Sequence, residues 1–255
     1  MRSYLFLIAC FLLPNSSFAD KQVIHIAAID WCPQICPETD KPGYIIDLVK
    51  QIYSDTEYEL DIRIYPWSRA LSMTQQGRVH AVLSPAKPEA PDLLYPINEV
   101  GTQRMCFFTD RGKEWQYENI HSLKNKQFGL STDTSIEELN DYALLNPEQF
   151  QYLPYNERHI VQQAKKVLRN RIHAFLFTYN STVYTLKNAG KWDRFKSAGC
   201  VQEANIYMAF SPQINMQDDI KKMMEVFDEK MAILKRGDGI AQVMSHYGLD
   251  DWRAK

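Results

Sequence analysis

The chain has 255 residues, of which 45% are hydrophobic and 24% are charged, and its net charge is −2. This length suits one large domain or two small ones, and the composition is that of a globular protein. The near-neutral charge and the lack of a Lys/Arg run exclude a strongly basic nucleic-acid binder, so nucleic acid is not expected as a partner.

The first segment of the chain has the pattern of a secretory signal peptide. Arg2 precedes an apolar run over Tyr4–Leu13, and small residues ending at Ala19 suit signal peptidase. The run is too short to span a bilayer comfortably. We therefore expect residues 1–19 to be cleaved and the mature protein to reach the periplasm. The segment Leu7–Cys10 also resembles a lipobox, but more apolar chain follows it, which makes a lipoprotein the lesser alternative.

Four cysteines remain after this segment: Cys32, Cys36, Cys106 and Cys200. An even number in an exported protein indicates disulfide bonds, and four cysteines allow three pairings. We favour Cys32–Cys36, which closes a small loop, together with the distant pair Cys106–Cys200. The alternative is four buried or partly free thiols.

Strands and helices alternate along the mature chain, which predicts an α/β fold with parallel strands. Leu60, Ile62 and Ile64 alternate with polar residues, the two-residue period of a half-buried strand. Ser68 is expected to cap the helix that follows. The predicted strands are Gln22–Ala28, Leu60–Tyr65, Val79–Leu83, Thr102–Thr109, Gln127–Ser131, Gln149–Leu153, Ala174–Phe177 and Asn205–Phe210. The predicted helices are Tyr44–Tyr53, Arg69–Gln76, Ile136–Leu145, Ile160–Leu168, Thr182–Lys187, Ile220–Leu234 and Ile240–Tyr247.

One stretch carries the most specific similarity to known proteins. Pro66–Leu71 (PWSRAL), followed by Gly77–Ala81 (GRVHA), resembles the "PWxRAL…G.vDA" segment of bacterial extracellular solute-binding proteins of family 3, the polar amino-acid receptors. The resemblance covers residues 21–252. Weaker similarities lie at Pro42–Leu48, Leu94–Pro96, Gly129–Ser135 and Arg171–Phe175.

The resemblance implies a type II periplasmic binding fold, in which two lobes, each with a central sheet flanked by helices, close on a small polar solute. Lobe 1 is expected to comprise residues 20–102 plus 205–255, and lobe 2 residues 103–204. The two crossings between lobes form the hinge. The implied partners are the solute and an ABC permease or a membrane sensor protein. We expect a monomer that needs no cofactor.

The sequence departs from the family pattern at both charged anchors of an amino-acid ligand. Ala90 stands where typical members carry the arginine that pairs with the α-carboxylate. Thr178, Tyr179 and Asn180 stand where an acid holds the α-ammonium. Losing both anchors costs a zwitterion several kcal/mol of binding. We therefore expect a ligand that is not a standard α-amino acid.

The candidate ligand-binding residues are Trp31, Trp67, Arg69, Ser84, Lys87, Arg104, Thr134, Ser135 and Tyr179. The two tryptophans provide stacking faces, although packing within or between the lobes explains them equally well. The three cations suit an anionic ligand atom; the alternatives are a solvated lysine at Lys87 and ordinary ion pairs at Arg69 and Arg104. Whether Lys87 or Arg104 replaces the missing arginine is left open by the sequence. Thr134 and Ser135 head a helix whose free N–H groups suit an anion, or simply cap it. Tyr179 offers a neutral hydrogen bond in place of the acid.

Other classes of function have weaker support in the sequence. The six histidines lack ligand spacing, so no metal site is expected. No hydrolase or nucleotide-binding motif is present. A periplasmic dehydratase-like enzyme on the same scaffold is the main alternative, but its general acid or base would have to be Glu89 or Asp133, both poorly suited. A third alternative is a protein-interaction module whose cleft has collapsed.

Overall fold

The computed structural model describes residues 21–37, 40–132, 139–154, 156 and 158–254. The predicted signal peptide (1–19) lies outside the described residues. So do Asp133 and two of the candidate ligand-binding residues, Thr134 and Ser135.

Each predicted strand and helix overlaps an observed one. The strands are β1 (Gln22–Ala28), β2 (Tyr58–Ile64), β3 (Ala81–Ala86), β4 (Gly101–Asp110), β5 (Phe128–Ser131), β6 (Phe150–Leu153), β7 (Ala174–Thr178) and β8 (Phe195–Phe210). The helices are α1 (Tyr44–Tyr53), α2 (Trp67–Gln75), α3 (Asn140–Leu145), α4 (His159–Leu168), α5 (Tyr179–Asn188), α6 (Gln217–Arg236) and α7 (Gly239–His246).

The predicted start of α2 was wrong. The helix begins at Trp67, so Ser68 lies in its first turn, and the described N-cap is Pro66, without a side-chain cap hydrogen bond. Proline fixes its own φ near the value seen here, −56°, and turns the chain from β2 into the helix. Trp67 is thereby placed at the helix start.

The eight described strands form one hydrogen-bonded ladder in the order β2-β1-β3-β8-β4-β7-β5-β6. We expected a separate sheet in each lobe. The ladder is continuous because β4 and β8 pair along their length, from Gly101 opposite Ile206 to Asp110 opposite Phe195. β8 begins well before the predicted Asn205, and this long antiparallel pair joins the two ends of the sheet.

Two groups of elements lie on either side of this crossing pair, and their cores remain separate. Half 1 contains β1–β3 with α1, α6 and α7 on one face of the sheet and α2 on the other. Half 2 contains β5–β7 with α3 on one face and α4 and α5 on the other. No described core residue belongs to clusters of both halves. The α/β class, with helices on both faces of the sheet on either side of two crossings, was predicted; the separate sheets expected for the two lobes are instead joined into one ladder.

The carboxyl ends of the parallel strands in both halves point toward the middle of the crossing pair. Ala86, the last residue of β3, pairs with Ile206, which also faces Gly101. Thr178, the last residue of β7, pairs with Met105. Only the stretch of β4 from Gly101 to Met105 therefore separates the two sets of strand ends. Ligands of open α/β sheets bind outside such ends, which identifies this region as the candidate cleft.

Both favoured disulfide bonds, Cys32–Cys36 and Cys106–Cys200, are present. Cys106 and Cys200 are register partners on β4 and β8, so this bond ties together the two crossing strands. The first bond closes the loop after β1, in which Trp31 and Ile35 exchange two backbone hydrogen bonds of 2.9 Å. The predicted pairing is confirmed.

His173, just before β7, makes the stability of half 2 depend on pH. Its ring packs edge-on against Trp115, with centroids 5.0 Å apart, and its Nε2 is buried without a partner in the described chain. Burial and the nearby Lys113 and Lys126 lower the pKa of His173 to about 4. An unfolded histidine titrates near 6.5, so below that pH protons favour the unfolded chain.

We expect acidification from pH 7 to pH 5 to lower the free energy of unfolding through His173 by about 1–2 kcal/mol, after allowance for its partial exposure. The substitution His173→Phe keeps an aromatic ring against Trp115 and should remove this part of the loss. Urea unfolding at the two pH values measures it. His121→Phe, at an exposed position, is the control and should retain the full loss. An equal loss in both variants would contradict the assignment.

Candidate ligand-binding cleft

Ser84 lies at an irregularity in β3, where the register with β8 shifts between Leu83 and Ala86. Its backbone has a positive φ of 76°, a conformation that costs a non-glycine residue about 1–3 kcal/mol. The Oγ atom is buried and has no hydrogen-bond partner among the described residues. A strained serine whose buried hydroxyl has no described partner, near the carboxyl end of a strand, suits a ligand contact, and this role of Ser84 stays a prediction.

Lys87 follows Ala86 and lies over two tyrosine rings. Its Nζ is 4.9 Å from the ring centroid of Tyr207 and 5.8 Å from that of Tyr95. The two rings pack edge to face, with centroids 5.4 Å apart. Burial and the carboxylate of Glu89 raise the pKa of Tyr95 to about 12, so its phenol remains protonated at neutral pH. The lysine side chain is exposed, which leaves its ammonium group accessible to an anion.

Arg104 lies on the crossing strand β4 and stacks on Tyr179, the first residue of α5. The guanidinium carbon is 4.2 Å from the ring centroid, close enough for a cation–π contact. Thr178 pairs with Met105 on the antiparallel strand β4. Tyr179, which follows Thr178, therefore comes beside Arg104, which precedes Met105. The structure thus brings together two predicted candidates, Arg104 from the crossing strand β4 and Tyr179 from half 2.

Three other predicted candidates lie in the core or at the surface. Trp31 is 8% exposed and belongs to the core of half 1, which favours the packing alternative for it. Trp67 is half-buried beside the α2 cluster that also contains Tyr95, and it keeps part of its ring accessible. Arg69 is exposed, with its guanidinium carbon 5.5 Å from the ring centroid of Tyr65. The ligand role of these three residues stays a prediction.

Ala90, at the position of the family's carboxylate-binding arginine, is 1% exposed. It packs with Ala70, Val79 and Leu93 beneath α2. The methyl group is therefore part of the core and does not face the cleft. A longer side chain at this position would displace its apolar neighbours.

Accordingly, Ala90→Arg should lower the free energy of unfolding by about 2–3 kcal/mol, because a guanidinium would enter an apolar core. The change should not create affinity for α-amino acids. Urea unfolding and calorimetric titration with an amino-acid panel measure the two effects. The neighbouring exposed Pro91→Arg is the matched control and should change stability by less than about 1 kcal/mol. Tight amino-acid binding by the Ala90→Arg protein would contradict this interpretation.

Two hydrogen bonds join the halves next to the cleft, and the sequence analysis missed three of the residues in them. Asn180 Nδ2 donates to Tyr44 Oη over 3.4 Å, and Gln34 Nε2 donates to Ser181 Oγ over 3.3 Å. Burial raises the pKa of Tyr44, so its phenol is neutral. A tyrosine that opens a helix and a glutamine between two cysteines were the available sequence signals. They become informative only once α1 and α5 are known to meet.

Neither a metal-binding cluster nor a membrane-spanning helix is found in the part of the chain that the structure describes. No group of three or more His, Cys, Asp or Glu side chains in this part is placed to hold a metal ion. Within the same residues, every helix is too short or too polar to cross a bilayer.

Comparison with solved structures gives the fold. The chain is similar to a structure from a study of glutathione import by GshT and the cystine ABC importer TcyBC of Streptococcus mutans (14% identity, 91% of this chain and 97% of that one, TM-score 0.69). It is also similar to the unliganded open L-cystine solute receptor of Neisseria gonorrhoeae (12%, 91% and 95%, 0.66). A histidine kinase sensor domain described as similar to periplasmic binding proteins matches as well (14%, 91% and 99%, 0.65).

No protein-family profile and no curated protein matches the sequence. At these identities the structural matches define the fold, which is that of the periplasmic solute-binding proteins, and they confirm the predicted architecture. These neighbours include amino-acid and cystine binding proteins of the kind that the sequence resembles.

Proposed function

We propose that the protein is a periplasmic solute-binding protein whose two lobes close on a small polar solute. The observation that supports it most is the opposition of strand ends across the crossing pair, where Ala86 and Thr178 lie at either end of the stretch Gly101–Met105. Lys87, which follows β3, and Arg104, on β4, are proposed to face this region. A solute between them would contact both lobes and favour the closed arrangement.

The proposed lobe boundaries are those expected from the sequence, residues 20–102 plus 205–255 and residues 103–204. Both changes of lobe then fall inside β4 and β8, near the Gly101–Ile206 end of their paired stretch. We propose that the protein acts as a monomer, because a cleft between two lobes of one chain needs no second copy.

The solute is proposed not to be a standard α-amino acid. The buried Ala90 cannot pair with an α-carboxylate, and Tyr179 with Asn180 replaces the acid that would hold an α-ammonium. Asn180 already donates to Tyr44. Among the described residues, these two positions therefore lack the charged side chains that amino-acid receptors of the family use there.

The receiving partner is proposed to be an ABC permease or a membrane sensor. Both contexts occur among the structural neighbours, as the cystine ABC importer study and the histidine kinase sensor domain illustrate. Delivery of the protein to the periplasm depends on the proposed cleavage of residues 1–19.

Binding is favoured over catalysis. Glu89, one of the two acids available for an enzyme, accepts the backbone N–H of Ala86 through Oε2 at 2.8 Å, so its carboxylate supports the turn after β3. The structural neighbours named above are a solute receptor, a sensor domain and a structure from a study of glutathione import.

A thermal-shift screen of the mature protein against a broad metabolite library tests the proposal. We expect one chemically related group of solutes to raise the melting temperature, because a ligand that binds only the folded protein stabilises it by RT ln(1 + [L]/Kd). Calorimetry then establishes a one-to-one complex. A library without any stabilising solute would contradict the proposed function.

A further inference from the structure

We propose that the solute is a small dicarboxylate without an ammonium group, bound by Arg104 from the crossing strand β4 and Lys87 from half 1. This inference rests on the proposed function and names the chemical class of the solute. It follows from the positions of the two cations, the lack of a carboxylate partner for either one among the described residues, and the face of the sheet that they share.

Arg104 is half-buried and forms no ion pair with any carboxylate of the described chain. Tyr179 covers one face of its guanidinium at 4.2 Å. A stacked guanidinium still presents its N–H groups at the edge of its plane, in the fork that matches the two oxygens of a carboxylate. The tyrosine thus orients Arg104 for bidentate contact with an anion.

The nearest protein acid to Arg104 in the ladder is Glu203, its register partner on β8. Directly opposed residues of antiparallel strands lie on the same face, so the two side chains are able to meet. The guanidinium nevertheless packs on Tyr179, and Glu203 remains exposed. Arg104 is therefore held toward α5, where the strand ends of half 2 open into the candidate cleft.

Lys87 supplies the second positive charge. Its Nζ lies over the rings of Tyr207 and Tyr95 and, among the residues described, is within ion-pair distance of no carboxylate. Glu89, two residues along, turns its carboxylate to the N–H of Ala86. Lysine acts as a compact point charge with a flexible stem, which suits a second carboxylate at a variable distance.

Both cations lie on one face of the crossing pair. Side chains alternate between faces along a strand, so Tyr207 shares a face with Glu203, and Arg104 lies opposite Glu203. Lys87 contacts Tyr207 and therefore lies on that face too. The shared face thus offers two cations where an amino-acid receptor would need a cation and an acid.

Calorimetric titration of the mature protein with matched solutes tests this class. The probes are the linear dicarboxylates from malonate to suberate together with phthalate, the amino acids aspartate and glutamate, and the neutral succinamide and glutaramide. We expect at least one dicarboxylate to bind. Its α-amino counterpart should bind at least about tenfold more weakly, since the ammonium group would meet cations without a partner acid. The diamides should not bind.

Substitutions then test the assigned residues. Arg104→Gln should weaken dicarboxylate binding by about 10- to 100-fold, the loss expected for a charge-assisted bidentate contact. Arg104→Lys should recover only part of it. Lys87→Gln should weaken binding by about 3- to 10-fold. The matched controls change two exposed residues, Lys221 and Arg171, the latter just before β7 at the end of that strand away from the cleft. Arg171→Gln and Lys221→Gln should leave binding unchanged.

Several outcomes would overturn the inference. One is a thermal-shift library that yields a neutral or cationic solute while no dicarboxylate binds; the proposed binding function would then stand, but its chemical class would be wrong. Another is unchanged dicarboxylate affinity in both Arg104 variants with native circular dichroism. If no solute of any class binds, the proposed function fails together with the inference.

Discussion

Replacement of Cys106 and Cys200 by serine should lower the free energy of unfolding by about 4–5 kcal/mol. The bond joins residues separated by 94 positions, and a crosslink over so long a loop removes much conformational freedom from the unfolded chain. It also ties β4 to β8 in register next to the candidate cleft. Urea unfolding of the oxidised protein and of the double variant measures the difference.

The control is the double variant Cys32→Ser with Cys36→Ser. These residues are only 4 positions apart, for which the same loop-closure relation gives about 2 kcal/mol. The order of the two effects is the informative result. A larger loss from the short loop than from the long one would show that the bonds act mainly on the folded state.

Gly43→Ala should lower the free energy of unfolding by about 3–5 kcal/mol. Gly43 immediately precedes α1 and has φ 110° and ψ 143°, a conformation that residues with a Cβ adopt only under strain. A Cβ at this position would also overlap the carbonyl oxygen of Gln34. That carbonyl accepts the N–H of Ile45, so the overlap would disturb the contact between the first loop and the helix.

Gly190→Ala is the matched control for this change. Gly190 also has a positive φ, 61°, but a Cβ there would meet no described atom within 4 Å. We expect a cost of about 1 kcal/mol, the backbone contribution alone. Thermal and urea unfolding of both variants separate strain from steric overlap. Equal losses at the two positions would contradict the packing of the loop against α1.

The regular elements were largely predictable because their hydrophobic periods are strong. α1 was predicted with its observed bounds, and β1 likewise, since both bury one clear apolar face. The first part of β8 was missed because residues 195–204 mix polar and small side chains. Gly199 there has a φ of 112° and lies against the carbonyl oxygen of Tyr117, a long-range contact that no local pattern shows.

The candidate cleft was predictable in part. The sequence suggested Ser84, Lys87 and Arg104 because each falls at a strand end or crossing, and their ligand role stays a prediction. The burial of Trp31 and Ala90 could not be predicted, because the local sequence around a tryptophan or alanine after a strand does not distinguish a cleft position from a core position. The contact between Tyr44 and Asn180 joins residues far apart in sequence and depends on how the halves meet.

Closure of the two lobes on a solute is most directly measured by small-angle X-ray scattering of the mature protein. The radius of gyration is compared without solute and at saturation with the solute that gives the largest thermal stabilisation. The account predicts a smaller radius of gyration in the complex, with no change in molecular mass. Saturating binding with an unchanged radius of gyration would show that the solute does not draw the lobes together, and would contradict the account.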